Sequence, residues 1–134
     1  MKKVILFVLT TLLLTACVNK DNTLEAKVSD FEDSGFSNGN GQIITLVEDG
    51  IMVSGTLRSY ENSNMSSIDK VLQKENAETE RHFHKIYTDG KIETKGSTYY
   101  VTLDDSTTLE FEKIALRKIK DSEGVEYVTQ EYSN

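Results

Sequence analysis

The sequence predicts a mainly β protein: a small antiparallel meander closing into a barrel, with a β-sandwich as the alternative and one short helix near 67–76. Three observations lead there. Eight short runs rich in β-favouring residues lie between Gln42 and the C-terminus, several of them alternating apolar with polar residues. Clusters of Asp, Gly, Ser and Asn separate those runs at short intervals, and such residues build turns by tolerating positive φ or by bonding their own backbone. Only 59–77 breaks the pattern with helical spacing.

Taken in order, Gln42–Val47 and Ile51–Arg58 flank Glu48-Asp49-Gly50, and an Asp-Gly pair between β runs predicts a hairpin. Ile51, Val53, Gly55 and Leu57 share one face. Ile68, Val71 and Leu72 fall at i, i+3, i+4, and Ser66 or Ser67 precedes them as an N-cap, so a helix is expected near 67–76. Arg81–Thr88 and Lys91–Thr94 flank Asp89-Gly90, a second expected hairpin. Lys95-Gly96-Ser97 turns into Thr98–Leu103, and Thr107–Glu112, Ile114–Lys120 and Val125–Tyr132 complete the set, separated by Asp104-Asp105-Ser106 and Asp121-Ser122-Glu123-Gly124. Tight turns make successive strands antiparallel neighbours, and closure would remove exposed edges. The meander resembles the small lipocalin-like barrels carried by some bacterial lipoproteins, though the chain has no Trp and so no Gly-x-Trp.

The N-terminus carries a different signal. Met1-Lys2-Lys3 is followed by the uncharged, mostly apolar Val4–Ala16. Thirteen helical residues extend about 20 Å, short of the roughly 30 Å of a hydrocarbon core. A charged start, a short apolar run and small residues at its end describe an export signal. The run ends in Leu14-Thr15-Ala16-Cys17, which resembles the lipobox of bacterial prolipoproteins. That resemblance implies cleavage between Ala16 and Cys17 and a diacylglyceryl group on the Cys17 sulfur, often with a palmitate-type N-acyl chain. Two acyl chains hold a protein stably where one does not. The expected location is the exported face of a cell membrane. The lack of proline and the many Asn, Lys and Ile residues resemble Gram-positive more than Gram-negative composition.

The expected division is a signal peptide over 1–16, a lipidated Cys17 with a flexible tether over 17–41, and one β-rich domain over 42–134. The tether reading rests on the Asn, Ser, Asp and Gly of 18–41, with Phe31 and Phe36 as isolated aromatics that either dock or hang free. Cys17 is the only cysteine, so no intramolecular disulfide is available and stability must come from apolar burial. Loss of Lys2 and Lys3 with the signal leaves 13 basic against 22 acidic residues, a net charge of −9. Phosphate recognition relies on clustered Lys and Arg, so nucleic acid is not an expected partner.

Motifs with chemical potential are few. His82 and His84 lie two apart, on one face of an expected strand, with Glu80 beside them; two imidazoles and a carboxylate are a possible zinc set. The plainer reading is a polar outward face backed by Phe83 and Tyr87. Gly35-Phe36-Ser37-Asn38-Gly39 matches G-x-S-x-G, but no helix follows it, and a nucleophile elbow needs a strand–turn–helix. Ser67-Ile68-Asp69-Lys70 matches S-x-x-K without its companion motifs, and a helix cap explains Ser67 better. Tyr99 and Tyr100 are adjacent in a strand and should point to opposite faces. The expected function is therefore a membrane-anchored, non-enzymatic binding or interaction module for a protein partner or a small apolar ligand. A zinc-binding lipoprotein is the first alternative, and an envelope hydrolase is the second.

Overall fold

In a computed structural model of the protein, residues 24–32, 35–57 and 65–129 are described. They contain nine strands: β1 (Phe36–Asn38), β2 (Ile43–Val47), β3 (Gly50–Thr56), β4 (His82–Tyr87), β5 (Lys91–Lys95), β6 (Thr98–Asp104), β7 (Thr107–Ala115), β8 (Lys118–Asp121) and β9 (Glu126–Thr129). One α-helix, α1 (Ser67–Lys74), joins β3 to β4, and a 3₁₀ turn, Val28–Phe31, precedes β1. All strand pairs are antiparallel and lie in one sheet, ordered β4-β3-β2-β1-β9-β8-β7-β6-β5. The sheet curls into a half-barrel. A single continuous sheet agrees with the barrel-like expectation and not with a sandwich of two sheets.

Closure stops short for a reason that lies in the strand count. In a wholly antiparallel sheet of nine strands, the two edge strands, β4 and β5, point the same way in the sheet's frame. Joining them would need a parallel seam, and parallel neighbours require a crossover of about a dozen residues or more. Only residues 88–90 separate them. The sheet therefore turns a corner at this link instead of sealing there. The expected Asp89-Gly90 hairpin is corrected accordingly. The tight turn exists, with the Gly90 amide donating to the Tyr87 carbonyl at 3.0 Å, but β4 pairs with β3 and β5 with β6.

The other expected turns form. Glu48-Asp49 links β2 to β3, with Val47 opposite Gly50. Gly50 has φ 149°, and a Cβ there would stand 2.2 Å from the Tyr87 carbonyl oxygen, so only glycine lets β4 approach so closely. Gly96-Ser97 links β5 to β6, and Asp105-Ser106 links β6 to β7. The Asp104 carboxylate accepts from the Ser106 amide at 3.0 Å, which fixes the second of these turns. The expected strand Ile114–Lys120 is in fact the end of β7, a turn at Leu116-Arg117 and the start of β8. No Gly, Pro or Asn marks this turn, so nothing local announced it.

The core lies on the concave face. Phe31, Phe36, Ile44, Ile51, Val53, Tyr99, Phe111 and Tyr127 are buried there together with Ile68, Val71 and Leu72 of α1. The predicted amphipathic spacing of the helix is thus the one it uses. Tyr99 is buried and Tyr100 lies on the opposite, outward face. Phe31 and Phe36 both dock. Phe31 meets Phe36, Tyr99 and Phe111 edge-on, with ring centroids 4.8, 5.0 and 6.0 Å away. Residues 24–32 and 35–41, which composition assigned to the tether, therefore pack as part of the domain.

Candidate functional site

Helix α1 lies across one end of the half-barrel, and its N-terminus sits on a buried polar cluster. The free N–H groups of a first helical turn need acceptors and favour negative charge. Ser66 and Asp69 provide a reciprocal cap. Ser66 Oγ accepts from the Asp69 amide at 2.9 Å, and Asp69 Oδ2 accepts from the Ser66 amide at 3.0 Å. Asp69 Oδ1 accepts from Gln42 Nε2 at 2.7 Å, and Gln42 Oε1 accepts from Ser66 Oγ at 2.7 Å. Asn38 Nδ2 donates to the same Gln42 oxygen at 2.9 Å. Gly55 makes room for this, since a Cβ there would come within 2.7 Å of the Gln42 side chain.

A second carboxylate completes the cap. Asp121 Oδ2 accepts from the Ser67 amide and from Tyr127 Oη, both at 2.8 Å, while Oδ1 accepts from the Glu123 and Val125 amides at 2.9 Å. Burial pushes the Tyr127 hydroxyl well above its ordinary pKa, and the Asp121 charge and hydrogen bond add to this, so it remains a donor. Every polar atom named here is committed to a partner within the cluster. Such an arrangement fixes α1 on the sheet.

The far half of α1 is tied to the hairpin ends. Lys70 Nζ meets Glu123 at 2.8 Å, and Lys74 Nζ donates to Ser106 Oγ at 2.6 Å and to Thr107 Oγ1. A shallow groove of about 290 Å³ runs between helix and hairpins, bounded by these lysines, Val71 and Leu109. At the helix C-terminus, Glu75 accepts from Tyr87 Oη at 2.6 Å and Lys85 Nζ at 3.0 Å, bracing the edge strand β4. The Tyr87 hydrogen bond is the main reason the Glu75 carboxyl sits below its usual range, against a smaller opposing effect of burial.

The opposite end is closed by the N-terminal segment. The Ala26 amide donates to the Gly96 carbonyl at 2.8 Å, and Thr45 Oγ1 donates to the Phe31 carbonyl at 2.9 Å. Lys113 is 6% exposed, and its Nζ donates to Asp30 Oδ2 at 3.1 Å and to the Glu25 carbonyl at 3.2 Å. Tyr99 Oη donates to the same Asp30 oxygen at 2.5 Å. Burial pushes the Asp30 carboxyl up, but the hydrogen bonds from Tyr99, the Lys27 amide and Lys113, with the Lys113 charge, outweigh it and hold the group below its usual range.

The histidine pair occupies the outward face of β4. His82 stands opposite Thr56, and His84 stands opposite Ser54; both are exposed. His82 Nε2 lies 3.2 Å from Ser54 Oγ. Glu80 precedes the strand with φ 65°, so the alternation that would align it with both histidines is broken. Among the described residues no group of three His, Cys, Asp or Glu side chains is placed to hold a metal ion. Ser37 sits midway along β1, opposite Ile43 on one side and Val128 on the other, which is a strand position and not a strand-to-helix turn. Cys17 and Ala16, along with Tyr60 and Tyr132, lie outside the described residues. Among the described residues no helix is long and apolar enough to cross a membrane. No family model matches the chain, and no curated protein or solved structure is found to be similar to it.

Sequence reasoning found the helix cap but not its burial. Ser66-x-x-Asp69 is a capping-box pattern, and that was the available signal. Asp121 was readable as a turn residue through its local bonds to the Glu123 and Val125 amides, but its bond to Ser67, the Gln42–Asp69 bond and the Asp30–Lys113 pair join residues distant in sequence and carried no signal.

Proposed function

We propose that the chain is an exported lipoprotein, held at a cell membrane through lipid on Cys17, whose β domain is a non-enzymatic interaction module for a protein partner. The observation that carries the anchoring is Leu14-Thr15-Ala16-Cys17 placed directly after a thirteen-residue uncharged run. The packing of the domain supports the rest. Its concave face is filled by aromatic and aliphatic side chains, which favours recognition at the outer surface over enclosure of a small apolar ligand. The first described residue, Leu24, follows Cys17 by seven positions. An extended link of that length reaches about 25 Å at most, so the domain would sit close to the bilayer.

Mass spectrometry of the protein from the membranes of a lipoprotein-processing bacterium tests the anchor. The expected N-terminal peptide begins at Cys17 and carries the diacylglyceryl mass. A free Cys17 thiol in a chain still bearing residues 1–16 would sink the reading. Cross-linking in intact cells then tests the partner: a discrete adduct is expected with the wild type, and its absence would return the small-ligand alternative to first place.

A further inference from the structure

The β7–β8 turn departs from the character of the rest of the surface. In a mature chain of net charge −9, the stretch 113–120 holds four cations, Lys113, Arg117, Lys118 and Lys120, and no carboxylate. Lys113 is turned inward to Asp30, whereas Lys118 and Lys120 lie on the outward face of β8. Lys118 contacts Glu126 at 3.5 Å, an exposed pair of the kind that contributes little. At the tip, Leu116 is 68% exposed, and Val128 beside it on β9 is 41% exposed. Ala115, Leu116, Lys118 and Val128 line one open, mostly apolar depression.

The position of this tip matters as much as its composition. Lys113 binds the Glu25 carbonyl, so the chain enters the domain beside β7. Leu116 lies three residues beyond Lys113, about 10 Å along the strand direction. Leu24 and Val28, also exposed apolar residues, flank the entry point. An apolar tip with Arg117 and Lys118 beside it, at the end where the described chain begins, matches a bilayer interface: leucine enters the acyl boundary while the cations meet lipid phosphates.

We propose that the β7–β8 tip seats on an anionic phospholipid surface and orients the domain end-on, with α1 and the β6–β7 turn pointing away from the membrane. This rests on the anchoring reading above. Glu112 and Glu126 flank Lys120 across the neighbouring strands, so the contact rests on the tip itself and not on the length of β8, and screening removes the field of the more distant carboxylates beyond about 8–10 Å.

The absence of Trp allows a direct test with the full mature chain reconstituted in vesicles. Single tryptophans are placed at the tip (Leu116→Trp) and at the opposite exposed turn (Asp105→Trp). Vesicles are phosphatidylcholine with or without phosphatidylglycerol, and part of the lipid carries brominated chains. Flotation first reports whether the chain is anchored. The expected result is flotation in both lipids, with blue-shifted emission and strong bromine quenching at position 116 only, and only with phosphatidylglycerol. Adding Lys118→Ala should lower the seated-to-free ratio about fivefold, and Lys120→Ala, flanked by Glu112 and Glu126, should lower it less. Equal, weak quenching at 116 and 105 in a floating protein overturns the seating alone. A blue shift without bromine quenching means the tip is covered by protein, and also overturns it. Failure to float overturns the anchor and the seating together.

Discussion

Replacing Phe31 by alanine tests whether the segment ahead of β1 belongs to the fold. The ring is fully buried against Phe36, Tyr99 and Phe111, in the only stretch that composition had assigned to a tether. A phenylalanine removes about 150–250 Å² from water. At about 25 cal/mol per Å², that is about 4–6 kcal/mol, an upper figure because the denatured chain is itself partly collapsed. Measured Phe→Ala changes in cores are about 3–5 kcal/mol. Here the segment can undock instead of leaving a cavity, which places the expected loss near 3–4 kcal/mol. For a domain of this size, each kcal/mol lowers Tm by about 4 °C or more, so Tm should fall by roughly 12–16 °C or more. The assay is urea and thermal denaturation of residues 18–134 followed by circular dichroism, with Leu116→Ala as the exposed control, expected within about 0.5 kcal/mol of wild type. A loss below about 1 kcal/mol for Phe31→Ala would refute the reasoning: residues 24–32 would then rest on the sheet without supporting it.

Further expectations come from the same contacts. Asp69→Ala strips acceptors from Gln42 and from the first turn of α1, and should cost about 2–4 kcal/mol in urea denaturation; a neutral result would mean that α1 is held by its apolar face alone. Gly50→Ala meets the Tyr87 carbonyl at 2.2 Å and a φ of 149°, so a loss of about 2 kcal/mol or more is expected, with faster amide exchange along β4. The pH dependence follows from Asp30 and Glu75, both held below their ordinary values. A depressed carboxyl contributes stability that is complete above the unfolded value, near pH 4, and drains away as pH falls through the folded value. Stability should therefore decline below about pH 4. Asp30→Asn should flatten part of that decline while costing stability at neutral pH, because it leaves the Lys113 ammonium buried without a counter-charge. An unchanged acid profile in that variant would remove Asp30 from the account.

The fold was legible where local chemistry decides and illegible where distant partners decide. Gly96-Ser97, Asp104-Asp105-Ser106 and the Asp121–Gly124 turn carry their own instructions in positive φ and side-chain-to-backbone bonds, and all three formed as expected. Ser66 likewise announced α1. Asp89-Gly90 made its turn, but the pairing of the flanking strands is a property of the whole sheet, whose odd strand count keeps β4 and β5 apart. β1 is three residues long and two of them are polar, so it shows no period; it is a strand because β2 and β9 flank it. The turn at Leu116-Arg117 escaped notice because its residues favour no turn, and those same residues make it the odd patch on the surface. Of the candidate features, the Leu14-Thr15-Ala16-Cys17 pattern is readable in the sequence, whereas the cluster of Gln42, Asp69 and Asp121 spans segments nearly eighty residues apart and becomes visible only in three dimensions.

The docking of the N-terminal segment has a mechanical consequence. Any tension applied through residues ahead of Leu24 enters the domain at the Ala26–Gly96 hydrogen bond, the Lys113–Asp30–Tyr99 knot and the Phe31 ring, before it reaches the sheet at β1. These contacts stand in series along the segment and would yield one after another, as in peeling. β1, zipped along both edges to β2 and β9, would be loaded only afterwards. The segment is in this respect a strain relief: a tug from outside is absorbed by releasing about a dozen residues of slack, while the nine-stranded sheet and the helix cap at its far end keep their shape.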